Sequence, residues 1–99
     1  MVKRFEVYMC RIDGKERPGL VISPDELNDR LPYILVAPIT TSSLTLPCRI
    51  GIGLKGKKAW IAMDLIQPVN QTQLTVKVGL LPEQTHVQIL TMLQKYFAP

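Results

Sequence analysis

The sequence predicts a mainly β domain with minor α: a small twisted barrel of SH3-like type. It should hold about five to seven short strands, one short helix after the second strand and a helix at the C-terminus. Three observations predict this. Short apolar or alternating runs are punctuated by Gly, Pro, Asn and Asp turn signals. Only the C-terminal segment sustains a helical period. A chain of 99 residues has the length of one domain, expected over 1–99.

Phe5 to Ile12 alternates, with Phe5, Val7 and Met9 on one face and Glu6, Tyr8 and Cys10 on the other. Asp13-Gly14 is a turn signal, and Gly19 to Ile22 is a short apolar second strand. In Ser23-Pro24-Asp25-Glu26, Ser23 reads as an N-cap, Pro24 as the first helical residue and Glu26 as the partner in a capping box. Asn28 to Pro32 breaks that helix early. Tyr33 to Ile39 is a third strand, expected to be central, with Pro38 marking an edge or a bulge near its end. Thr40 to Leu46 is a Ser/Thr-rich loop. Cys48 to Leu54 and Ala59 to Ile66 form a hairpin about the basic turn Lys55-Gly56-Lys57-Lys58, and Thr75 to Leu80 is the last strand. In Pro82 to Phe97, Val87, Leu90, Leu93 and Phe97 recur at helical spacing, with Ile89 and Tyr96 alongside. This stripe is expected to pack on the sheet as core.

Composition narrows the function. With 46% hydrophobic and 20% charged residues the chain is globular rather than disordered. A net charge of +4 suggests an anionic partner: nucleic acid, a membrane surface or an acidic protein. The distribution is uneven. No Asp or Glu occurs from Arg30 to Met63, a stretch that carries Arg30, Arg49, Lys55, Lys57 and Lys58. Cys10 and Cys48 stand alone, without a CxxC pair or a His/Cys cluster, so no metal and no cofactor are expected. The N-terminus lacks the apolar core of a signal peptide, and no apolar run approaches membrane-spanning length. A cytoplasmic protein with reduced thiols and no membrane partner is expected.

The run Glu16-Arg17-Pro18-Gly19-Leu20-Val21-Ile22-Ser23-Pro24-Asp25-Glu26-Leu27-Asn28 resembles the MazF/PemK toxin family, which shows Arg-Pro, an apolar strand ending in Ser-Pro and a short helix with Asn nearby. Leu35-Val36-Ala37-Pro38-Ile39-Thr40-Thr41 is similar to that family's apolar strand ending in threonine. Ala59 to Asn70, with Asp64, resembles its strand ending in aspartate. The resemblance implies a CcdB/PemK-like fold, a homodimer and metal-free cutting of single-stranded RNA by the ribose 2′-hydroxyl. It also implies a cognate antitoxin whose acidic tail lies on the basic surface.

The chemistry asks for groups that meet the charge developing on the phosphoryl oxygens. Arg17 is the first candidate, since a guanidinium meets two oxygens at once. Its other reading is a surface ion pair with Glu16 or Asp13. Thr40, with Thr41 as the fallback, offers a hydroxyl to position the scissile bond, or else simply ends a strand. Asp64 is a candidate base if burial raises its pKa, or else a turn residue. Glu16 is the other candidate carboxylate. Lys15, Lys55, Lys57 and Lys58, with Thr41, are candidates for RNA binding. Trp60 and Tyr33 could stack on bases, although Trp60 reads better as core. His86 is the only histidine and belongs to the C-terminal helix, so no two-histidine acid–base pair exists.

The chain departs from the family in its short loop before Arg17, in Ala62 where some members carry arginine, and in Leu65-Ile66-Gln67, which lacks a usual basic residue. Two other functions therefore stay open: a CcdB-like gyrase poison acting through Tyr96 to Pro99, and a degenerate member that binds antitoxin or RNA without cutting.

Overall fold

The computed structural model describes residues 2–42 and 46–97. In chain order the elements are β1 (Glu6–Ile12), β2 (Lys15–Val21), α1 (Asp25–Asn28), β3 (Tyr33–Thr40), β4 (Arg49–Leu54), β5 (Lys57–Ala62), β6 (Gln67–Asn70), β7 (Leu74–Leu80) and α2 (Glu83–Phe97). The middle of the Thr40 to Leu46 loop and the end of the chain, Ala98 and Pro99, lie outside the described residues.

Two turns are set by φ. Asp13 and Gly14 take φ of 51° and 74°, and Lys55 and Gly56 take 51° and 78°. Paired left-handed residues make the two-residue hairpin turn whose twist suits flanking strands. The basic turn is thus only two residues long, and Lys57 and Lys58 open β5. Likewise β2 begins at Lys15, so Arg17 stands within a strand rather than at its entrance.

The strands form one curled sheet in the order β4-β5-β3-β2-β1-β7, with β6 also on β3. Pro38 marks neither an edge strand nor a bulge. One edge of β3 pairs with β2, as in Gly19↔Pro38. The other edge pairs first with β6 through Val36↔Gln67 and then with β5 from Ile39↔Ile61. Ala37 and Pro38 fall in the gap where β3 changes partner, a place that tolerates a residue without an N–H. β6 has no counterpart in the sequence reading, because a four-residue strand with a proline shows no period. The strand expected to reach Ile66 stops at Ala62. Met63 turns into a 3-10 helix, Met63–Leu65, and donates its N–H to the Cys48 carbonyl at 3.1 Å.

Both faces of the sheet are packed. One cluster joins Leu20, Ile39, Ile50 and Ile61 to Ile89 of α2, and the other joins Cys10, Val21, Ile34, Val36 and Val69. The stripe expected to bury α2 is rotated. Ile89 is fully buried and Met92 and Leu93 pack on the core, but Val87 is 61% exposed and Leu90 44%. Buried Leu81 sets how the chain enters the helix, and His86 stacks on Phe5 with ring centroids 3.9 Å apart. That docking selects one of two stripes sharing the same period. Trp60, read as core, belongs to neither cluster.

Ser23 does not cap α1. The N-cap is Pro24, with no side-chain cap. Buried Ser23 instead donates to Asn28 Oδ1 at 2.5 Å and accepts the Leu35 N–H at 3.1 Å, tying α1 to β3.

Glu6 is buried yet ionised. It accepts the Lys3 N–H at 2.7 Å and pairs with Lys77 of β7. Burial pushes its pKa up, but the Lys77 and Lys3 hydrogen bonds outweigh this and hold it below the ordinary 4.5. A depressed carboxyl contributes stability that is present above the unfolded pKa and is lost as pH falls through the folded one. Glu6→Gln is expected to flatten the loss of melting temperature below about pH 4.5. A pH–melting curve parallel to wild type in that range would contradict this.

Candidate nucleic-acid interface

The pleat places the site. Ile39↔Ile61 and Ile50↔Ile61 are cross-strand partners, and all three point into the core. Their neighbours in each strand therefore point to the opposite face. These neighbours are Thr40 opposite Trp60, and Arg49 opposite Ala62. Carried two residues past its last pair, the β2–β3 register brings Arg17 towards Thr40.

A cleft of about 850 Å³ opens on this face. Arg17, Thr40 and Thr41 line it together with Arg49, Lys55, Lys57 and Lys58. Among the described residues that line it there is no carboxylate, so the cleft is cationic and suited to a polyanion. Arg17 is exposed, and neither Glu16 nor Asp13 pairs with it. Thr40 Oγ1 accepts the Ser42 N–H at 3.1 Å, which holds the hydroxyl at the strand end and leaves its own O–H to donate.

Three expected site residues lie outside the lining. Lys15 and Glu16 follow the Asp13-Gly14 turn as the first residues of β2, and Glu16 alternates with Arg17 along the strand, so the two side chains point to opposite faces. Glu16 Oε1 accepts the Thr75 hydroxyl at 2.6 Å. Asp64 sits in the 3-10 turn, where Arg49 Nε donates to Oδ1 at 2.7 Å and Nη2 to Oδ2 at 3.0 Å. The Arg49 hydrogen bonds hold the Asp64 carboxyl below the ordinary 3.8, opposite to what a general base near neutral pH requires. His86 Nε2 donates to the Leu81 carbonyl at 2.7 Å, against Phe5 and away from the cleft.

The residue that sequence reasoning left unassigned is Arg49. Only its place in an acid-free stretch hinted at it. Among the described residues, no group of three or more His, Cys, Asp or Glu is placed to hold a metal, and no helix is long and apolar enough to cross a membrane.

Comparison with known structures agrees with this fold. An endoribonuclease from Mycobacterial species, in complex with its cognate antitoxin, superposes with a TM-score of 0.87 at 22% identity, over 96% of this chain and 93% of that one. The Mycobacterium tuberculosis toxin MazF-mt6 follows at 0.83 and 22%, over 93% and 95%. MazF from Deinococcus radiodurans gives 0.84 at 14%, over 99% and 97%. No curated protein sequence matches the chain significantly. A family model for PemK-like, MazF-like toxins of type II toxin–antitoxin systems matches residues 3–97. The curled seven-stranded sheet, the closing helix and this match over nearly the whole chain together show that the protein belongs to the PemK/MazF-like family of type II toxins.

Proposed function

We propose that the protein is a metal-independent endoribonuclease that cuts single-stranded RNA in the cytoplasm and so arrests translation and growth. The observation that carries this reading is the convergence of Arg17 and Thr40 in one cationic cleft whose described lining holds no carboxylate. The ribose 2′-oxygen attacks phosphorus, its proton passing to a base. The P–O5′ bond breaks and O5′ takes up a proton, leaving a 2′,3′-cyclic phosphate. Arg17 meets the charge on the phosphoryl oxygens, and the Thr40 hydroxyl holds one of them in line. Lys55, Lys57 and Lys58, with Thr41, hold the flanking phosphates.

A cognate antitoxin with an acidic segment would cover the same cleft, where its carboxylates replace phosphates. The structural neighbour solved with its cognate antitoxin supports this partner. A second copy of the chain is the other expected partner. Val76 and Leu80 of edge strand β7 and Val87 of α2 are all at least 60% exposed, which favours burial in a homodimer.

The test is incubation with mixed-sequence single-stranded RNA in EDTA, with the new ends mapped. Discrete cuts are expected, and a 2′-deoxy nucleotide on the 5′ side of the scissile phosphate should abolish each. A folded protein that leaves RNA intact would reject the reading in favour of a non-cutting binder or a gyrase poison, the latter tested by trapping of gyrase on DNA.

A further inference from the structure

We infer that Arg49 is a second guanidinium of the RNA site, contacting a phosphate of the bound strand, and that Asp64 is the positioning residue that aims it. This rests on the RNA reading above. Arg49 reaches the cleft by register. It stands directly opposite Ala62, on the face of the sheet that carries Thr40 and away from the Ile39, Ile50 and Ile61 core. The Ala62 methyl group leaves the width of β5 open for a long side chain to lie across. Asp64 follows two residues later, where the 3-10 turn swings its carboxylate back towards Arg49.

The pair is bidentate, through Nε at 2.7 Å and Nη2 at 3.0 Å. A guanidinium has five N–H donors in a rigid plane. Two are taken by Asp64. The others, on Nη1 and the second N–H of Nη2, keep a direction set by that contact. The Arg49 side chain is only 9% exposed, so its orientation is held by packing as well as by the carboxylate. Arg49 is thus an aimed donor set whose net charge Asp64 cancels. The neighbouring Lys55, Lys57 and Lys58 are exposed, flexible point charges that supply attraction without direction.

This arrangement separates affinity from rate. Freeing Arg49 from its carboxylate adds a net positive charge to the cleft but lets the guanidinium wander. Asp64→Asn is therefore expected to bind RNA more tightly and to cut it more slowly. The binding arm measures anisotropy of a labelled, uncleavable 2′-O-methyl RNA across a salt series. The rate arm measures single-turnover cleavage of the matching RNA. For Asp64→Asn the slope of log affinity against log salt should steepen by about 0.7, the increment for one further net positive charge neutralising the single strand. Its cleavage rate should fall about tenfold or more, the cost of a misplaced group. Arg49→Lys should keep most affinity and lose rate to a similar extent, since an ammonium cannot serve carboxylate and phosphate as a planar fork.

The double variant Arg49→Ala/Asp64→Asn removes the pair without stranding a charge, and its folding is checked by its melting temperature. Slow cleavage by the folded double variant supports the assignment. Wild-type cleavage by the double variant, whose net charge and salt slope should match wild type, or wild-type cleavage and salt slope in Asp64→Asn, would overturn it while wild type stays active and Arg17→Ala stays slow. A wild-type protein that neither binds nor cuts RNA would overturn this inference and the RNA reading together.

Discussion

Replacing Arg17 by alanine is expected to lower RNA cleavage by about 10²–10³-fold, the loss seen when one aimed donor to a developing oxyanion is removed. The fold should be untouched, because Arg17 is exposed and makes no ion pair among the described residues. Its cross-strand neighbour in β1, Cys10, is packed independently in the second core cluster. The measurement is a single-turnover rate beside a melting curve. Binding of uncleavable RNA should weaken far less than the rate, since one of several cations is lost for attraction but the one at the scissile phosphate is lost for chemistry. Rate and affinity falling by the same factor would make Arg17 a general binding residue. An unchanged rate would remove it from the site.

The second large effect concerns stability. Gly19→Ala is expected to destabilise the domain by about 1–3 kcal/mol, the usual cost of forcing volume into a packed core. The added Cβ would collide with Val36 Cγ1 and come within 3.0 Å of Cys10 Sγ. Neither neighbour can withdraw, since Val36 and Cys10 are both fully buried. Nor can the backbone, since Gly19 is clamped between Tyr8 of β1 and Pro38 of β3. For a domain of this size each kcal/mol lowers the melting temperature by about 4–8 °C. Val36→Ala removes the colliding methyl, so Gly19→Ala/Val36→Ala should be more stable than the sum of the two single losses. Strict additivity in that cycle would mean that the close approach does not exist.

Gly19 stands next to the part of the cleft lining that the sequence marked. The Arg-Pro-Gly run combines a residue that faces the cleft with one that admits the neighbouring strand. Ser23 and Asn28, further along the same run, bond to each other beneath α1. Of these residues only Arg17 was placed by local spacing; Ser23 bonds to Asn28 instead of capping α1, which the capping-box pattern does not show. Thr40 was legible in the same way, as a hydroxyl at the end of an apolar strand. Lys55, Lys57 and Lys58 were legible from charge, although Lys57 and Lys58 belong to β5 rather than to the turn.

Arg49 was not legible. It lies fifteen residues from Asp64 in the chain, and only the β4–β5 register and the 3-10 turn after Ala62 bring them into contact. The same contact changes the meaning of Asp64. As a residue in a sequence it is a candidate base; beside a guanidinium its carboxyl is held below its ordinary pKa. Glu16 is a parallel case, because its closeness to Arg17 along the chain puts the two on opposite faces of a strand.

The sequence by itself determined a small mainly β domain, its hairpin turns, its closing helix, and the acid-poor stretch that supplies most of the cations of the cleft. Turn residues and periodicity act over a few residues, so no distant contact is needed to express them. Tertiary structure alone decided which stripe of α2 meets the sheet, that β6 joins β3, that Trp60 stays out of the core and that Arg49 and Asp64 form one unit. Each of these is a pairing between segments that the chain keeps apart. Strand register and helix docking are chosen by the packing of the whole domain, and local pattern leaves several choices equally well satisfied.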